Sequence, residues 1–454
     1  MLTLAPRALL AALPERPHTL LEPESQRPGP SGSFTVYSFP VDLRHGEVHM
    51  YDTRQYWDTQ SNGKAQPLPA DVVARYADGT RDMAVKRFEI DLVRRLSNGT
   101  ETSVPLHELY LHHLWVQINN ARNESMASFG SSFEYRNSRF VFQSPYRRVM
   151  HQPSSWEPFM HLINTRDPVG GFDGRASPLV QCPCTRQRRF NLTFGDQGGI
   201  DGDVVDPPFV CPSNIAGNPA CALDTYVGGT RCCMRSNIFV VDTETECHRP
   251  DCAEKPVDRA YLKATLHYED ATPETRNVTD FSCCDMTSYG DGSANNEFDV
   301  LPRCAADAAL TDECVVRFEK VLPLDLLTQE DEPDDPDTVA EYAAHARSKV
   351  EIAYILPHLH EGALSIELLD DVSNRTLCRA SRDDGSVMYG DGTEAGNERG
   401  YITGFRTCTW GAEDAPVYER RHPMRLIAKY DGRRRITGAM ARMVVSGHDH
   451  VATA

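Results

Sequence analysis

Apolar and polar residues alternate in short runs along most of the chain. The runs include "FTVYSFPVDL" from Phe34, "MAVKRFEIDLVRRL" over 83–96, "PLHELYLHHLWVQI" over 105–118, "SRFVFQSPYRRVM" over 138–150 and "WEPFMHLINTRDP" over 156–168. A period of two places successive side chains on opposite faces of a strand, and Gly, Pro and Asn separate one run from the next. The pattern predicts an all-β protein of two packed antiparallel β-sandwich domains, read as jelly rolls. The first domain spans 34–170 and the second 257–446, the latter opening with "RAYLKATLHYED" (259–270) and closing with "RRITGAMARMVV" (434–445). Residues 1–33, rich in Pro, Ser and Glu, read as a disordered leader, and 447–454 as a polar tail. Residues 171–256 carry little periodicity and many Gly and Cys, which predicts a disulfide-stapled insert between the domains. The acidic stretch "LLTQEDEPDDPDTVAEYAAHARSK" reads as a solvated loop leading into one short helix.

Composition narrows the partners. The 454-residue chain carries a net charge of −18, whereas nucleic acids and anionic membranes select a basic surface. No apolar run reaches the length of a membrane-spanning helix. Fourteen cysteines are present: Cys182, Cys184, Cys211, Cys221, Cys232, Cys233, Cys247, Cys252, Cys283, Cys284, Cys304, Cys314, Cys378 and Cys408. Their spacings fit zinc modules poorly, because Cys182-Pro-Cys184 and the two adjacent pairs are not C-x₂₋₄-C hooks. The even total reads instead as disulfides. Asn98, Asn123, Asn191, Asn277 and Asn374 head glycosylation sequons. Both features predict passage through an oxidising secretory compartment. The opening residues make a poor signal peptide, since Pro6 and Arg7 break a short apolar segment; the expectation is an atypical signal or a non-native start.

Histidine placement carries the candidate chemistry. Sixteen histidines in this length produce about half a chance HH pair, so no pair is evidence without its context. "YILPHLHEGALSIELL" sets His358 and His360 two apart on a predicted strand, on one face and about 7 Å apart along it. His112 and His113 are adjacent, and neighbours on a regular strand face opposite ways. They share a metal only through a twist, a bulge or different ring nitrogens. His161 lies on a further predicted strand, and His107 and His151 are substitutes for it. Imidazole suits copper and zinc, and a thioether such as that of Met440 favours Cu(I). The bland readings are ordinary strand histidines and a core methionine. His448 and His450 sit in the expected tail and read as free, and His267 and His422 show no partner pattern.

The segments "VPLHELYLHHLWV", "YVGGTRCCM", "ILPHLHEGALSIELLDD", "GDGTEAGNERGYITGF" and "ITGAM" resemble the stress up-regulated Nod proteins of plants across roughly 100–445. A more distant resemblance is to the copper type II, ascorbate-dependent monooxygenases, such as peptidylglycine α-hydroxylating monooxygenase and dopamine β-monooxygenase. That resemblance implies two jelly-roll domains, each with one copper. The first ion would be held by His112, His113 and His161 and the second by His358, His360 and Met440. It also implies an ascorbate-like reductant and hydroxylation of a C–H bond in a small-molecule or peptide substrate. "AYLKATLHYED" is similar to the opening strand of the enzymes' second domain. The chain departs from the enzymes in its insert and its wider cysteine pattern, and no substrate-anchoring residue carries over. Two other functions are compatible with the same residues: a non-catalytic secreted or cell-surface binding protein, and a copper-holding protein. Hydrolysis has no support, because neither G-x-S-x-G nor H-E-x-x-H occurs.

Overall fold

In a computed structural model, residues 24–25, 30–49, 65–166, 238–239, 255–325 and 348–450 are described, with short interruptions at 97, 132–135, 137, 139, 282, 287–297, 396 and 435. The described chain is nearly all strand, as the alternation predicts. One α-helix, Ala70–Tyr76, was not anticipated; Asp71 in its first turn and Arg75 in its last are the signal, and it buries Val72 and Tyr76. Residues 326–347, which hold the expected acidic loop and short helix, lie outside the described residues.

Two large sheets enclose the first apolar core. In one, Ser31–Tyr37 pairs with Val257–Asp270, which pairs with Asp82–Arg95, then Tyr146–His151, all antiparallel. In the other, Glu47–His49, Pro153–Asn164, Leu109–Asn120 and Ser125–Ser131 follow in order. Their inner faces supply Phe34, Leu92, Leu111, Val116, Trp156, Met160 and Leu266. The second core lies between a sheet built on Lys349–Leu359 and Ala441–Asp449 and one ordered Val315–Pro323, Pro423–Asp431, Ala363–Asp370, Thr376–Ser381.

Two expected boundaries are displaced. Val257–Asp270, expected to open the second domain, is hydrogen-bonded along its length into the first sheet, because its buried alternation (Ala260, Leu262, Ala264, Leu266, Tyr268) fills the first core. The expected tail is in part strand, since Ala441–Asp449 runs through His448 and pairs with Lys349–Leu359. Of the expected insert, Ile238–Phe239 is described as a strand paired with Glu47–His49.

The cores interlock. Lys349–Leu359 is buried from its second residue onward, so it reads as a continuous apolar run rather than an alternation. Its Val350, Ile352, Ile355 and Leu359 enter the second core, while Tyr354 and Leu356 turn to the first, where Tyr354 meets Phe142 at 5.5 Å. In return Tyr110 and Ile163 leave the first domain for the second core. Glu351, nearly buried, accepts hydrogen bonds from Tyr146 Oη at 2.7 Å and Arg276 Nη1 at 2.6 Å.

The described cysteines are bridged as Cys304–Cys314, Cys378–Cys408 and the adjacent pair Cys283–Cys284. Cys182, Cys184, Cys211, Cys221, Cys232, Cys233, Cys247 and Cys252 lie outside the described residues. Asn98, Asn123, Asn277 and Asn374 are exposed, and Asn191 is outside the described residues. Among the described residues no helix is long and apolar enough to cross a membrane.

Truncating an apolar side chain at the joint should be felt by both cores. Leu356→Ala removes a side chain that is 2% exposed and should cost about 2–5 kcal/mol in denaturant unfolding. A cost below about 1 kcal/mol would show that the joint is loosely packed.

Candidate metal centre

His112 and His113 reach one face by a bulge. Across the Leu109–Asn120 and Pro153–Asn164 pair, His161 opposes His113 and Leu162 opposes Leu111, so His112 is the extra residue. Before the bulge Leu109 and Leu111 face the first core; after it Leu114, Val116 and Ile118 do. The slip of one residue resets the alternation, so His112 and His113 both point away from that core. His161 shares their face, flanked by inward-facing Met160 and Leu162.

The partner histidines arrive by plain alternation. Tyr354, Leu356, His358 and His360 succeed each other at period two on the side of Lys349–Leu359 that meets the first domain. The turn after His360 depends on Gly362, whose φ of +84° no side chain adopts without strain and where a Cβ would meet Ile436. Ala363 N donates to the His360 carbonyl at 3.3 Å and closes that turn. Met440 follows the strand Ile436–Ala439; its carbonyl accepts from His360 N at 3.3 Å and from the Tyr430 hydroxyl. The buried Met440 is thereby joined to His360 through the backbone.

The five imidazoles form a single cluster. Ring centroids lie 4.3 Å apart for His112–His113, 4.6 Å for His112–His161 and 4.7 Å for His112–His360. His113 stands 5.5 Å from both His358 and His360. Two ligand groups are present, His112/His113/His161 and His113/His358/His360, each with candidate ligand atoms within 4.8 Å of one another. The two groups therefore touch and have His113 in common, whereas the expected sets shared no residue. Neither group contains a carboxylate or a thiol.

Protonation is disfavoured at His112 and His113. His112, His161 and His360 are fully buried, and both ring nitrogens of His113 are buried without a hydrogen-bond partner among the described residues. Burial, and then the neighbouring imidazoles, push the affinity of His112 and His113 for protons well below the ordinary value; the Arg442 guanidinium adds to this at His113. Arg442 pairs with His358 across the strands, and its Nε is buried without a hydrogen-bond partner. His358 Nε2 lies 3.2 Å from His360 Nε2. Nitrogens sharing a tetrahedral ion at about 2.0–2.1 Å stand roughly 3.3–3.4 Å apart, so this pair is already at chelating separation.

The other histidines have different work. His151 is exposed and bonded to Asp82 at 2.7 Å, and neither His151 nor His107 belongs to the ligand groups found among the described residues. His448 Nδ1 meets the Asn277 carbonyl at 2.7 Å and His450 Nδ1 meets Glu351 at 2.9 Å, against the expectation that both are free. His267 lies 3.6 Å from Glu89 and His422 2.7 Å from Asp370. Arg442 escaped the sequence reading, since only the strand pairing brings it to His358.

The stress up-regulated Nod 19 (SURNod19) family matches residues 217–449, about half of the chain. The chain belongs to that family. The span matched to SURNod19 contains His358, His360 and Met440 and stops short of His112, His113 and His161. No curated protein matches the chain. A solved structure described as a "putative secreted protein from Parabacteroides distasonis ATCC 8503" aligns over 91% of this SURNod19 chain and 90% of its own, at 8% identity and a TM-score of 0.13. A likeness that low carries no argument about fold or function.

The lowered proton affinity of His112 and His113 sets a pH dependence for the metal-free protein. The folded state binds fewer protons than the unfolded chain once pH falls below about 6.5, so stability must fall with pH there. The contribution is complete above that value and erodes below it, by up to about 1.4 kcal/mol per pH unit for each ring. Denaturant unfolding at pH 7.5, 6.5 and 5.5 should show this loss, and a smaller one for His112→Asn. A slope unchanged in the variant would mean that His112 is protonated in the fold.

Proposed function

We propose that this SURNod19 protein is a copper-binding protein of the secretory route, with its copper held by the imidazole cluster at the joint between the two cores. The observation that carries the reading is His113. Two buried ring nitrogens without hydrogen-bond partners are costly in an apolar joint, and a metal ion repays that cost. The donor set fits copper: neutral imidazoles, no carboxylate, and a methionine residue fixed beside His360. Copper bound there supplies one-electron chemistry between Cu(I) and Cu(II). The chain's share is to keep His112 and His113 unprotonated, to orient the rings, and to exclude water by burying them. The disulfides Cys304–Cys314 and Cys378–Cys408 support an oxidising compartment, and the family supports a role in stress.

A second reading is favoured by ligand order: His112, His113, His161, His358, His360 and Met440 follow the sequence of the ascorbate-dependent copper monooxygenases. In that reading the protein hydroxylates a C–H bond of a small-molecule or peptide substrate using dioxygen and an ascorbate-like reductant.

Protein produced through a secretory pathway, loaded with copper and desalted, should retain the metal by elemental mass spectrometry. His113→Ala should lose it. Zinc retained in preference to copper, or no metal at all, would sink the copper reading. Copper-dependent dioxygen uptake with ascorbate, abolished in Met440→Ala, is expected of the monooxygenase; metal retention without uptake leaves a copper-holding protein.

A further inference from the structure

The ligand groups overlap. A metal in the first group uses His113 with two rings of the first domain, His112 and His161. A metal in the second uses His113 with two rings of the second domain, His358 and His360. The contact between His112 and His360, at 4.7 Å between centroids, leaves the two half-sites in direct apposition.

Charge decides how many ions such a cluster takes. The ligand groups are wholly imidazole, with no acidic side chain to offset a second positive ion, and each ion is costly to bury without compensation. A charge beside the cluster has the wrong sign: Arg442 sits opposite His358 and acts electrostatically on His113. Filling both groups at once would further require His113 to ligate through both nitrogens, leaving each ion with two rings of its own. A low-charge ion such as Cu(I) meets the least repulsion in this setting, and soft, neutral donors suit it.

We infer that the two histidine groups are one shared centre, which takes a single Cu(I)-class ion per chain and pins the two domains together through His113. The identity of the ion rests on the copper reading; the sharing does not, because it follows from the overlap of the ligand groups. Three ligands come from the Leu109–Asn120 and Pro153–Asn164 strands and two from the end of Lys349–Leu359, so an ion held by both sides links elements from separate cores. Binding then stabilises the joint by mass action.

The test is stoichiometry on the full-length, disulfide-intact protein. Metal-free protein is titrated anaerobically with Cu(I) against a chromophoric chelator, and in parallel with Zn(II), and the ions per chain are counted by native mass spectrometry. One equivalent at saturation is expected, with an upward shift of the melting midpoint. His161→Ala on one side and His360→Ala on the other should each weaken that same equivalent at least tenfold. Should either variant fold poorly, wild-type protein alone decides: after oxidation it should give a mononuclear Cu(II) resonance integrating to one spin per chain. One equivalent of zinc with no copper would refute the copper reading and leave the shared centre standing. Two equivalents of either metal, a dipole-coupled pair of Cu(II) spins, or an equivalent that survives one of the two variants unweakened would overturn the shared centre. So would the absence of any bound metal.

Discussion

The arrangement depends on one extra residue in a strand. His112 is inserted between the His113–His161 and Leu111–Leu162 pairs, and the alternation of Leu109–Asn120 restarts one place later. Without the bulge one of the adjacent rings would point among Leu111, Leu114 and Leu162, where a polar ring finds nothing to satisfy it. With it, two neighbouring imidazoles leave the first core together. Bulges twist a strand and re-aim its side chains, and here the result is a pair of imidazoles on the face of the sheet turned away from the first core.

That pair is covered because the two cores exchange side chains around it. Tyr110 and Ile163 pass into the second core, while Tyr354 and Leu356 pass into the first. The flanking apolar contacts bring Lys349–Leu359 across the bulged strand, and His358 and His360 are carried with it into contact with His113. Hydrophobic burial therefore offsets the cost of enclosing five polar rings. Burial and the neighbouring rings disfavour protonation of His112 and His113, and Arg442 adds to this at His113.

Membership of the SURNod19 family and the placement of the histidines bear on different halves of the chain. The family match covers His358, His360 and Met440, whereas His112, His113 and His161 lie before it. The centre is thus completed by a region that the match does not reach. Any account of the family's chemistry that considers only the matched span would see an isolated pair, His358 and His360, with Met440 beside it. The shared ring, His113, belongs to the other half.

Much of this was legible in the chain itself. Alternation at period two marked nearly every long strand, and it placed His358 and His360 on one face, because that geometry is local to the strand. The adjacency of His112 and His113 announced that a bulge or twist was needed, although no residue in the run says which strand partner imposes it. Tertiary structure alone decided the rest. The opening strand of the expected second domain, Val257–Asp270, joined the first sheet because three strands there could pair with it, a choice fixed by long-range hydrogen bonding rather than by its own pattern. The fusion of two expected ligand sets into one cluster, and the arrival of Arg442 beside it, likewise came from packing one sheet on another. Local sequence dictates which way a side chain points along its strand; which side chains it then meets depends on residues hundreds of positions away.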